Sequence, residues 1–246
     1  MSLNLIELWS KMGLPVKAVV FVLTIQAIAS LTVIIDRLMF LRRAKKTSTQ
    51  FAKPASELLM KREFPALKDL AEQMSHIHLA VLFRTGVASF LDAVSRGASR
   101  TDANEIADRA ITRKQAQVSS ELYRGMNVLA STGSTAPFVG LLGTVLGIIN
   151  AFHLIGENDS GGLGTIGSAI GEALIVTGYG LCVAIPVVLL FNWMTAKLGA
   201  HELALSSASG ELSDAFRSYR SPSHAHSDSS EPPSMNELDA ELPAIN

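Results

Sequence analysis

Glu172 is an acid in surroundings that hold no other. The stretch that follows it, 173–196, has no Asp, Glu, Lys or Arg, and 125–156 and 18–35 are equally free of them. A carboxylate at the centre of a lipid-embedded helix costs about 2.5–3.5 kcal/mol on insertion scales, less near an end. Glu172 is therefore expected to face protein or water and to be paired or protonated. Two threonines are the other polar groups with a telling position. Gly140, Thr144, Gly147 and Ala151 recur at helical spacing, and Ala173, Thr177, Gly180 and Ala184 repeat that spacing. Small faces let helix backbones approach closely in lipid, so each stripe fits tight packing. Each also carries one hydroxyl, so two stripes fit equally a narrow, weakly polar lumen in an oligomer. Glu172 precedes Thr177 by five positions, about 140° round a helix, and need not share that lumen.

Other chemistry finds little support. Gly162-x-Gly164-x-x-Gly167 has the form of a dinucleotide fingerprint, but no βαβ context surrounds it. There is no phosphate-binding P-loop, and no nucleophile sits with a base and an orienting acid. His224 and His226 fall in a polar tail, while His76, His78 and His201 have no ligand spacing. Cys182, the single cysteine, excludes a disulfide framework within one chain. The chain is expected to be no enzyme, to need no cofactor or metal and, with 21 Lys+Arg against 22 Asp+Glu, to bind no nucleic acid.

The elements that position these residues follow from the charge map. Of 246 residues 48% are hydrophobic and 17% charged, whereas a soluble domain carries about 25% charge. About 20 apolar residues cross a bilayer as a helix, and backbone satisfaction in lipid leaves helix or closed barrel. None of the three uncharged runs alternates as a barrel strand would. An all-α, polytopic protein with three transmembrane helices is expected. Lys17 at the edge of the first run snorkels to lengthen it. Arg37, Arg42, Arg43, Lys45 and Lys46 follow the first run, Arg109, Arg113, Lys114 and Arg124 precede the second, and Lys197 follows the third. The connection between the last two runs has no Lys or Arg. The excess of cations on one side orients the chain N-terminus out and C-terminus in. Ala27-Ile28-Ala29 has the form of a signal cleavage site. The apolar run continues past it and the basic cluster comes after, so an anchored helix is expected instead.

The expected organisation is an amphipathic lead-in over 1–15, a first span over 16–35 and a cytoplasmic helical region over 36–124. A second span over 125–155, a periplasmic loop over 156–165 and a third span over 166–196 follow. A cytoplasmic helical extension over 197–220 and a disordered acidic tail over 221–246 complete it. Pro54 and Pro65 punctuate the cytoplasmic region, Gly97 and Ser99 mark a break before Asp102, and the helix from there is expected to run straight into the second span. Pro137 and Pro186 are expected to kink or start their helices. Gln26 is expected to hydrogen-bond a neighbouring helix.

Pro137, Phe138, Val139, Gly140, Leu141, Gly143, Thr144, Val145 and Gly147 form one motif. Glu172, Ala173, Leu174, Ile175, Thr177, Gly180 and Leu181, with Ala184 and Pro186 after them, form a second. Together these resemble the ExbB/TolQ/MotA proton-channel family, most closely its ExbB/TolQ branch; three spans argue against the four-span flagellar branch. Ala169 stands where relatives often have Gly, and Tyr179 replaces a usually aliphatic residue. The resemblance implies a multi-pass protein of the bacterial inner membrane, assembled as a homo-oligomeric ring, typically a pentamer, around a dimer of an ExbD/TolR-like single-span partner. A membrane aspartate on that partner carries the proton. By resemblance Thr144 and Thr177 form the polar ring facing it, Glu172 is the family's membrane glutamate, and Pro137, Gly140, Gly143, Gly147, Ala173, Gly180, Ala184 and Pro186 pack the pore helices. The implied function is a stator driving a TonB-, TolA- or motility-type effector by the proton-motive force. The alternative is a non-conducting membrane scaffold.

Overall fold

A computed structural model describes residues 9, 12–157 and 163–219. Positions 1–8, 10 and 11 of the lead-in, 158–162 of the connection between the last two uncharged runs and the whole tail lie outside the described residues. So do Gly162, His224, His226 and the side chains of Arg43, Lys45 and Lys46. Among the described residues there are six helices and no strand: α1 Leu14–Lys61, α2 Phe64–Gln73, α3 His78–Ser95, α4 Arg100–Leu122, α5 Met126–Glu157 and α6 Leu163–Arg217.

Three of these helices are long and apolar enough to cross a membrane: α1 over Leu14–Arg42, α5 over Met126–His153, and α6. Two outlast the bilayer. The α1 helix continues to Lys61, and Arg62 ends it in the left-handed region (φ 59°), where its N–H and that of Glu63 reach the carbonyls of Leu59 and Leu58. The α6 helix continues to Arg217. Pro137 and Pro186 lie inside α5 and α6, and neither starts its helix. Proline is tolerated inside membrane helices where neighbouring helices, side chains or local adjustments re-satisfy the freed backbone.

Two apolar cores result. One lies among the spans, with Val16, Val19 and Leu23 of α1, Ala136 of α5, and Val176, Val183 and Ala184 of α6. The other gathers α2, α3 and α4 around the extensions of α1 and α6. Phe90 of α3 stacks on Phe216 of α6 at 4.5 Å between centroids, and Phe64 of α2 sits tilted against Phe216 at 5.2 Å. Burying an aromatic ring contributes roughly 1.5–3 kcal/mol, so the far end of the third span's helix is anchored in the extramembrane bundle.

The breaks have local causes. Ser99 caps α4, its hydroxyl oxygen accepting from the Asp102 N–H, as Ser at an N-cap favours. Gly97, at φ 82°, makes the turn before it. The expectation that α4 runs straight into the second span is corrected. Gly125 adopts φ 80°, a conformation that glycine enters at little cost, and separates α4 from α5. Arg37 occupies that break. Its guanidinium is buried, donates to the carbonyls of Glu121 at 2.9 Å and Leu122 at 3.2 Å, and pairs with Asp36. A cation on the last carbonyls of a helix satisfies orphan acceptors and complements the helix dipole.

Candidate functional site

The small-residue stripes of α5 and α6 face one another within a single chain. A Cβ built on Gly180 would lie 2.8 Å from the Ala136 carbonyl oxygen and 3.1 Å from the Gly140 Cα. One on Gly140 would lie 3.2 Å from the Thr177 Cα, one on Gly147 2.5 Å from the Ala173 Cβ, and one on Gly143 2.6 Å from a Val176 methyl. Ala173 and Ala184 are buried beside them. The glycine and alanine faces thus pack against each other, not against an open lumen, because at this separation the backbones leave no room between them. Pro137 sits half-buried on α5, at the edge of this contact, and Pro186 is exposed on α6.

The threonines lie at the edge of the same contact. Thr177 donates its hydroxyl proton across the interface to the Gly140 carbonyl at 2.7 Å, and Thr144 donates to the Leu141 carbonyl of its own helix at 2.7 Å. At about 100° per residue, Leu141, Thr144 and Ile148 share one flank of α5, and Leu174, Thr177 and Leu181 share one flank of α6. In an antiparallel pair these flanks fall on the same side. Leu141, Ile148, Leu174 and Leu181 are exposed there, so both hydroxyls border a face that no described element of this chain covers.

The other side of the pair carries α1. Val19 reaches to 3.2 Å from the position of a Cβ on Gly143, and the Tyr179 hydroxyl lies 3.2 Å from Thr24 Oγ1. The glycine of the lead-in, Gly13, would place a Cβ 3.5 Å from the Asn150 amide. Glu172 shares this α1 flank with Val176 and Tyr179, and the Ser168 hydroxyl donates to its Oε1 at 3.5 Å. The structure brings Thr144 and Thr177 to one side and leaves Glu172 on another. Gln26 donates to Thr135 at 3.3 Å, tying α1 to α5. No cluster of three or more His, Cys, Asp or Glu suited to a metal occurs among the described residues.

The profile of the MotA/TolQ/ExbB proton channel family matches residues 76–206. Biopolymer transport protein ExbB of Neisseria meningitidis serogroup A is 32% identical over 194 residues, which is 74% of this chain and 83% of the relative. The chain belongs to this family. Biopolymer transport protein ExbB of Xanthomonas campestris is 47% identical over 92 residues, spanning 36% of that relative's own length, and that of Pseudomonas putida is 30% identical over 200 residues, spanning 58%. With three apolar helices of spanning length, the member described here is a membrane protein.

Several residues that join the helices escaped the sequence reading. Arg37 was legible as a topological cation, whereas its grip on the α4 carbonyls was not. His78, the first residue of α3, packs edge-on against Phe40 and lies 4.0 Å from the Glu121 carboxylate, and its ring centroid is 6.4 Å from that of His201. Burial pushes the pKa of both imidazoles down; Glu121 partly opposes this at His78, Lys114 adds to it there, and His78 adds to it at His201. Glu202 accepts from the hydroxyls of Ser119 and Tyr123, and burial together with Glu202 raises the Tyr123 pKa. These contacts join residues from different helices, so local spacing carries no signal of them.

Proposed function

We propose that this protein is the channel subunit of a proton-driven motor of the inner membrane. Several copies surround a single-span partner whose membrane carboxyl group moves past Thr144 and Thr177. The observation that carries this reading is the pair of threonines on a face that no described element covers, away from α1, in a chain of this family. In the proposed arrangement the N-terminus is outside and the C-terminus inside, five copies form the ring, and an ExbD/TolR-like dimer occupies its axis. The segment boundaries stated from the sequence belong to the same proposal.

The hydrogen bonds support a specific division of labour. Both hydroxyl protons go to backbone carbonyls, so each oxygen offers lone pairs to a guest. A protonated carboxylic acid donates to such an oxygen; an ionised carboxylate does not. The threonine ring therefore favours the neutral acid, whose transfer into lipid also avoids the desolvation penalty of a charge. Protonation from one side lets the guest pass the ring, and release to the other side resets it. A proton falling through 100 mV yields about 2.3 kcal/mol, so work on a TonB-, TolA- or motility-type effector accumulates over many transfers. Glu172, on the α1 flank, belongs to the proton pathway near the outer end and not to the ring itself.

The test is to purify the assembly with its co-purifying single-span protein, reconstitute it in liposomes and follow dye-reported proton uptake. Replacing Thr144 and Thr177 together by Val is expected to abolish uptake while the oligomer persists. Full uptake by the double variant overturns the role of the hydroxyls. Normal work by that variant combined with Glu172→Ala would favour the scaffold.

A further inference from the structure

A trough of about 640 Å³ opens between α1 and α6 at one membrane boundary. Leu38 and Leu41 of α1 and Trp193 of α6 line its membrane side, Arg42 and Lys197 line it where the apolar runs end, and Ala200 lines it beyond Lys197. The depth is set by sequence. Arg42 closes the apolar part of α1, and Lys197 is the first charge after 173–196. Indole rings favour the headgroup level, and Trp193 is exposed there. Neither Arg42 nor Lys197 forms an ion pair among the described residues. His201 also lines the trough, and its Nε2 is buried without a hydrogen-bond partner.

We infer that this trough holds one anionic phospholipid, its phosphate at Arg42 and Lys197 and an acyl chain running from them toward the bilayer along Leu38, Leu41 and Trp193. Two unpaired cations above an apolar slot, at headgroup depth, complement a molecule that is anionic at one end and apolar along its length. A soluble phosphate matches only the two cations, and a zwitterionic lipid brings a cation of its own that they repel. The bound lipid fills the space between the first and third spans just where both helices leave the membrane, and so braces the extramembrane bundle against the spans. The inference uses the membrane boundary alone and does not depend on proton conduction.

Native mass spectrometry of the purified assembly, exchanged into micelles with equal phosphatidylglycerol, phosphatidylethanolamine and phosphatidylcholine, tests it. Retention of phosphatidylglycerol, up to one per chain and well above the other two, is expected. Arg42→Gln with Lys197→Gln is expected to reduce that preference roughly thirty-fold, two contacts at about 1 kcal/mol each. Leu38→Trp, which fills the membrane side of the slot, is expected to reduce retention of all three lipids. Equal retention of the three lipids by the unaltered protein overturns the inference even if both variants fail to assemble. Displacement of phosphatidylglycerol by soluble glycerol 3-phosphate also overturns it, since the slot would then be idle. No retained lipid, together with a changed oligomeric state in Leu38→Trp, assigns the trough to a second copy of the chain and overturns it too. A channel that conducts protons yet retains no phosphatidylglycerol overturns this inference alone.

Discussion

Gly180→Ala tests the central packing. The added Cβ would sit 2.8 Å from the Ala136 carbonyl oxygen and 3.1 Å from the Gly140 Cα. Both are backbone atoms, so no rotamer change relieves the clash, and α5 and α6 must part. Overpacking of a well-packed contact costs typically 1–3 kcal/mol. Parting also stretches the 2.7 Å bond from Thr177 to Gly140, and interhelical hydrogen bonds in membranes contribute about 0.6 kcal/mol each. The gain in helix propensity on replacing Gly by Ala is at most about 1 kcal/mol, so the net change remains destabilising by about 1–2 kcal/mol. Gly178→Ala and Gly171→Ala are the controls, because a Cβ at either position meets nothing within 4 Å. Those variants keep the propensity gain without the clash. Unfolding in mixed micelles of rising dodecyl sulfate content, followed by circular dichroism, should move Gly180→Ala to lower detergent fraction and leave the controls unchanged or slightly higher. Equal midpoints for Gly180→Ala and Gly178→Ala would refute the close approach.

Thr177→Val removes the interhelical bond and should cost about 0.6 kcal/mol, up to about 1.7 kcal/mol. Thr144→Val loses a bond within its own helix and should leave the same unfolding midpoint nearly unchanged. Arg37→Ala leaves the Glu121 and Leu122 carbonyls without their donor, at about 1–3 kcal/mol for buried acceptors; faster amide exchange at the end of α4 and the start of α5 is the measurement. Folding lowers the pKa of His78 and His201, so below pH 6.5 the unfolded chain binds more protons. Stability should hold above that pH and fall as pH drops through it and on through the lowered folded values. Melting followed from pH 7.5 to 5.5 should show that fall, and His78→Phe with His201→Phe should flatten it.

Much of this protein follows from sequence alone. Uncharged runs of spanning length specify three membrane helices, because lipid offers no partner for an unpaired backbone group. The two motifs around Thr144 and Thr177 specify the family, and Ser99 before Asp102 specifies a helix start. These signals are local: each depends on what neighbouring residues on one helix cannot do otherwise. What the stripes face was decided only by the tertiary structure. Spacing puts Gly140 and Thr144 on one side of α5 whether that side meets a lumen or another helix; the approach of α6 settles it, since Gly180 touches Gly140 and no space remains. The same holds for Arg37, whose partners lie on α4, for His78 and His201, and for Glu172, whose flank is defined by α1. Such contacts join residues far apart in the chain, and helical periodicity fixes the direction a side chain takes but not the neighbour it meets.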